Sequence, residues 1–140
     1  MAYSQSARNA NKVFRKTITF AVGAGTGSVG TVAVSTVTGS VFIQECAGFV
    51  STALVSTSNT GTITLGVTGA TAGLIAQETA DELLAGMVWT GATQDEVVST
   101  VVNKAVTGNI FITVATNNIT SGVMTIVIYY KPGTYDGYLA

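Results

Sequence analysis

Apolar and polar residues alternate with period two along most of this chain, and the alternation breaks at clusters of Gly, Ser and Asn. Successive strand side chains point to opposite faces, so this pattern requires half-buried antiparallel strands joined by short turns. "TITFAV" (17–22) puts Ile18, Phe20 and Val22 on one face, and the glycine-rich "GAGTGSVG" (23–30) follows as a turn. "TVAVSTV" (31–37) aligns Val32 with Val34, and "VFIQECAGFV" (41–50) sets Val41 and Ile43 opposite Phe42 and Cys46. After the turn "STSNTG" (56–61), "TITLGV" (62–67) groups Ile63, Leu65 and Val67, and "TGATAG" (68–73) reads as a loop.

The last third carries the strongest signal. Residues 108–130, "GNIFITVATNNITSGVMTIVIYY", hold no charged side chain. Ile110, Ile112 and Val114 alternate, "NNITSG" (117–122) has turn chemistry, and Met124, Ile126, Ile128 and Tyr130 oppose Val123, Thr125, Val127 and Tyr129. Both faces of this final run are apolar in places, which predicts a central strand covered twice. Two segments depart from the pattern. "ETADELLAG" (78–86) offers Thr79 as N-cap, Glu82 three residues on and Gly86 as a stop, so a short helix is predicted around 79–85. "TQDEVVSTVVNKA" (93–105) carries helix and strand signals together and reads as loop plus strand. The fold class is therefore all-β, an antiparallel β-sandwich or jelly-roll-like domain with one short helix. A basic N-terminal arm (1–16) precedes the body (17–131), and a C-terminal tail (132–140) follows it.

Charge narrows the function. Only 9% of the 140 residues are charged and the net charge is -1; ordinary soluble domains carry roughly 25%. Little repulsion holds copies of such a chain apart. Thr, Ser, Gly and Asn interrupt every apolar run, so a membrane-spanning helix of about 20 apolar residues does not fit, and an eight-stranded membrane barrel with long loops would strain this length. The polar opening "MAYSQSARNANK" lacks the apolar stretch of a secretion signal, which gives an expectation of cytosolic synthesis.

Catalytic chemistry finds no foothold in these residue types. The chain has no histidine, which removes the usual general base, zinc ligand and Cys–His pair together. Its single cysteine, Cys46, cannot form an internal disulfide and sits in an apolar run, so an inert buried thiol is expected. Gly25, Gly27 and Gly30 spell G-x-G-x-x-G, but "TVAVSTV" follows where a dinucleotide site needs a helix, so a hairpin loop is the reading. Glu78, Asp81, Glu82, Asp95 and Glu96 lack calcium-loop spacing. Asn118-Ile119-Thr120 matches a glycosylation sequon and reads as a turn. No enzyme activity, cofactor or metal is expected. Arg8, Lys12, Arg15 and Lys16 give the arm its charge; they suit a solvated tail or an arm laid along a protein partner, and are too sparse for nucleic acid.

"LLAGMVWTGAT" followed by "GNIFITVATNNITSGVMTIVIYYKPG" resembles the C-terminal half of small virion proteins of tailed bacteriophages, the head decoration or cement proteins. The likeness lies in Val88-Trp89-Thr90, then "NIFITVAT", then "ITSG", then a hydrophobic strand closing on Tyr130-Lys131-Pro132. It covers roughly residues 62–132. The resemblance implies an all-β subunit of the virion, a homo-oligomer and frequently a trimer, bound to the major capsid protein on the outer capsid surface, with no nucleic acid and no membrane as partner. Under it the arm and the tail reach out to capsid subunits. Arg8, Arg15 and Lys16 would then meet acidic capsid surface, Lys12 and Lys131 would lie at the capsid or oligomer interface, and Tyr135 and Tyr138 would serve as interface aromatics. Two rival readings stay open: a phage fibre, tail or other self-assembling surface component, and a carbohydrate-binding β-sandwich module.

Overall fold

A computed structural model describes residues 11–90 and 104–140. Eleven strands occur among them: β1 (Lys12–Thr19), β2 (Gly30–Ser35), β3 (Val37–Thr38), β4 (Val41–Ser56), β5 (Thr62–Val67), β6 (Ala70–Thr79), β7 (Val88–Trp89), β8 (Lys104–Val106), β9 (Ile110–Ala115), β10 (Ile119–Pro132) and β11 (Tyr138–Leu139). One sheet runs β1-β10-β4, with β7 and β8 both pairing to β4; a second runs β2-β9-β5-β6, and β3 with β11 forms a small third. The pairings are antiparallel throughout. The inner faces meet in one core: Ile18, Phe20, Ile43, Trp89, Met124, Ile126 and Ile128 from the first sheet, and Val32, Val34, Ile63, Leu65, Ile75, Ile110, Ile112 and Val114 from the second. This is the all-β sandwich expected from the alternation. The β-branched residues that dominate it suit a pleated, half-buried surface, and the single proline, Pro132, stands at the end of β10 where a strand tolerates it.

Several boundaries differ from the sequence expectation, each for a physical reason. β1 begins at Lys12 rather than Thr17, because Lys12 through Lys16 pair with Tyr130 through Ile126. "TGATAG" holds only a short turn at 68–69, and β6 runs from Ala70. The expected short helix is a single 3-10 turn, Ala80–Glu82, and Thr79 makes no side-chain cap. Its backbone is claimed by the sheets: Ala80 N donates to Gly61 O at 2.8 Å, and Leu54 N donates to Leu83 O at 3.1 Å. Those tertiary bonds outweigh a local capping signal. Residues 93–103 of the ambiguous segment lie outside the described residues, and Lys104–Val106 is strand.

β4 carries the largest correction. The register against β10 passes from Tyr129↔Glu45 to Tyr130↔Ile43, so Gln44 is an extra residue, a β-bulge. The bulge flips the parity, and Cys46 joins Val41 and Ile43 on the buried face while Phe42 stays exposed. The tail is also not free. β11 pairs with β3, Leu139 is buried, and Thr36 and Ala140 exchange backbone hydrogen bonds at 2.9 and 3.0 Å.

Candidate interaction surface

The same alternation that fills the core leaves two outer faces with different chemistry. On the five-stranded sheet the pairing register builds rows: Val13–Tyr129–Glu45, then Arg15–Val127–Ala47, then Thr17–Thr125–Phe49–Val88. Phe42 lies further along, between Lys131 and Ala105. Val13, Phe42, Phe49, Val88 and Tyr129 are all more than a third exposed, with Phe49 at 47%. An apolar patch of this kind on a small domain marks a contact surface. Arg15 and Glu45 sit within it with opposite charge, separated by the breadth of β10.

The outer face of the four-stranded sheet is built from Thr31, Ala33, Thr62, Thr64, Phe111, Thr113 and Ala115. No exposed large apolar residue lies on β2, β5, β6 or β9, and β2, β5 and β9 carry no charge. Thr31, Thr113 and Thr64 stand side by side across three strands. The hydroxyls of Thr64 and Thr113 are buried and make no hydrogen bond.

Elsewhere polar groups hold the fold together. Lys16 reaches from β1 to the other sheet and donates to Ala33 O at 3.1 Å; Lys104 does the same from β8 onto Gly73 O. Asp81 accepts from the Ser56 amide at 3.0 Å and from the Ser56 hydroxyl, and that hydroxyl accepts from Gly61 N at 2.9 Å. A shallow groove of about 410 Å³ beside Lys16 is lined by Thr31, Ser35, Thr36, Asn109 and Phe111. Its one amine is already bonded to a backbone carbonyl. Burial pushes the Cys46 thiol up to about 12, with Lys104 opposing that shift; a protonated thiol is a poor nucleophile. Burial, and after it the neighbouring Glu82, raises Glu78 above the usual carboxylate range, while the Thr79 amide lowers it. Among the described residues no group of three or more His, Cys, Asp or Glu is placed to hold a metal, and no helix is long and apolar enough to cross a membrane.

The residues singled out from sequence end up apart. Arg8 lies outside the described residues. Lys12, Arg15 and Lys16, assigned to an arm, belong to β1 instead; Arg15 faces outward and Lys16 braces the sandwich. Lys131 stands beside Phe42 at the end of β10. Tyr135 and Tyr138 are exposed, at 67% and 50%, on a tail that folds back rather than reaching out. Trp89 is fully buried. The surface residues that the sequence reading missed are Val13, Val88 and Tyr129, and on β4 Phe42, Glu45 and Phe49. For β4 the signal was present: "VFIQECAGFV" is apolar on both parities, which a strand with one wet face does not need.

The arrangement defines an all-β sandwich whose exposed chemistry is a surface rather than a cleft. Compared with models of protein families, with curated proteins and with solved structures, the chain matches none.

Proposed function

We propose that this chain is a structural subunit of a phage virion that binds the outer capsid surface and stabilises the shell as a decoration, or cement, protein. The observation that carries the reading is the apolar outer face of the five-stranded sheet, with Phe49, Val88, Val13, Phe42 and Tyr129 exposed on a chain of net charge -1. A subunit built to lie among neighbours tolerates such a face, and a freely diffusing one is penalised for it. The likeness of residues 62–132 to decoration proteins supports the same reading. Many copies bound across capsomer boundaries add their binding free energy to the assembled shell by mass action. The major capsid protein is the partner, and the oligomer implied by the likeness is a trimer.

Quantitative mass spectrometry of purified virions, calibrated against the major capsid protein, tests this. Hundreds of copies in simple ratio to the capsid protein are expected. A handful would move the chain to a fibre or tail, and absence from the particle would overturn the virion role.

A further inference from the structure

We propose that the outer face of the five-stranded sheet is an interface for a second copy of this chain, packed face to face about a two-fold axis. Three observations on that face point to the same occupant.

The first is the charge pattern. Arg15 stands opposite Val127 on β1, and Glu45 stands opposite Tyr129 on β4, with β10 between them. Arg15 and Glu45 are therefore related across a point over β10 between Val127 and Tyr129. A two-fold axis through that point, parallel to the sheet and perpendicular to the line from Arg15 to Glu45, sets Arg15 of each copy against Glu45 of the other, forming two ion pairs at once. A face carrying one sign of charge would repel its own copy; this one complements it.

The second is what surrounds the pairs. Val127 and Ala47 between the two charges are already buried within the chain, and the exposed residues beside the charges are Val13, Phe49 and Tyr129. Their burial against an identical set leaves an apolar centre with charges to either side of the axis, the usual distribution in a specific interface. Phe49 and Tyr129 are the large, ordered side chains that serve as anchors.

The third is size. Three strands at ~4.8 Å spacing and about eight residues at ~3.3 Å, with the short β7 and β8 beside β4, give roughly 450 Å² of flat area per copy. Side-chain relief raises the surface removed from water towards the ~600–1,000 Å² per partner that specific complexes bury. The Thr face of the other sheet offers similar breadth with a single half-buried aromatic, Phe111, and no charge on β2, β5 or β9.

The contact uses the same face that carries the capsid reading, so copies paired through it would meet the capsid by other surfaces; it forms between free chains and is tested without the capsid. A two-fold contact also differs from the threefold arrangement implied by the likeness. It gives even-numbered particles: a dimer, or a hexamer where threefold contacts form as well.

Sedimentation equilibrium on the purified full chain over a dilution series tests it. Dimers or hexamers are expected. Phe49→Asp is expected to raise the dissociation constant of the two-fold contact at least about tenfold, with circular dichroism unchanged because Phe49 is half-exposed on the outer face. Arg15→Glu and Glu45→Arg are each expected to weaken it at least about tenfold, and the double exchange is expected to restore most of the loss. A chain that is monomeric at every concentration overturns the proposal. So does a trimer indifferent to Phe49→Asp, or a double exchange no tighter than either single variant.

Discussion

The two outer faces of the sandwich share a pleat, a length scale and a core, yet differ in what they can do. Rows of Thr31, Thr113 and Thr64 make one face polar without charge; Val13, Phe49, Val88 and Tyr129, with Arg15 and Glu45 among them, make the other apolar and self-complementary. The inner positions of both sheets are interchangeable in character, because burial demands only apolar volume. Function is therefore written in the residues that burial does not dictate. In this chain those are Val13 and Arg15 of β1, Tyr129 of β10, Val88 of β7, and Phe42, Glu45 and Phe49 of β4.

That contrast can be broken or sharpened by substitution. Ile112→Ala removes side-chain volume from the core shared by both sheets, where Ile112 has no exposure; the expected loss is about 3 kcal/mol by denaturant unfolding. A loss under about 1 kcal/mol would mean that the sheets are less tightly joined than their contacts indicate. Cys46 tests the boundary between inner and outer positions on β4. Its folded pKa lies above its ordinary value of 9.0, at about 12, so the folded state keeps the proton that the unfolded chain releases between those values. Stability is full below pH 9 and falls as pH rises towards 12, by about 1 kcal/mol at pH 10. Urea titrations at pH 8 and 10 should show this fall in the parent chain, reduced in Cys46→Ala. An equal fall in both would put the thiol in contact with solvent.

Smaller effects separate the outer faces themselves. Thr113→Val removes a buried hydroxyl without a partner and is expected to stabilise the fold by about 0.5–1 kcal/mol, read as a rise in Tm. Phe49→Thr, which copies the character of one face onto the other, should change the stability of the dissociated chain by less than about 0.5 kcal/mol, measured by unfolding at high dilution. A large loss there would mean that Phe49 supports the monomer rather than its contact surface.

Much of the architecture was legible from side-chain parity. Ile110, Ile112 and Val114, Ile63 and Leu65, and Val32 and Val34 all face the core as their spacing requires. The glycine-rich stretch at 23–30 leads into β2 and not into a helix, but it is no hairpin loop: β1 pairs with β10 and β2 with β9, so it crosses from one sheet to the other. What parity could not show was a change of parity. The extra residue at Gln44 moves Cys46 inward and leaves Phe42 outside, and such a bulge is defined by the partner strand at Tyr129 and Tyr130, far along the chain. The helix expected around 79–85 failed for a related reason. Thr79 and Glu82 are a local signal, whereas the hydrogen bonds of Ala80 and Leu83 go to Gly61 and Leu54. The contact surface was hidden for longer. Sequence drew attention to the basic residues near the start and to the two tail tyrosines, but only the register sets Arg15 two strands from Glu45.

The pairing of β1 with β10 also governs how the protein can be made. Lys12 finds its partner at Tyr130, 118 positions later. A ribosome extends the chain from its N-terminus, so β1 emerges early and has no strand to join until synthesis is nearly finished. Long-range pairing of this sort slows folding, since the loop must close before any contact rewards it. Nascent chains arrested before residue 119 should stay protease-sensitive through β1, and protection should arrive in one step once β10 has cleared the exit tunnel. The interval gives chaperones a defined client: an early unpaired strand waiting for the last long one.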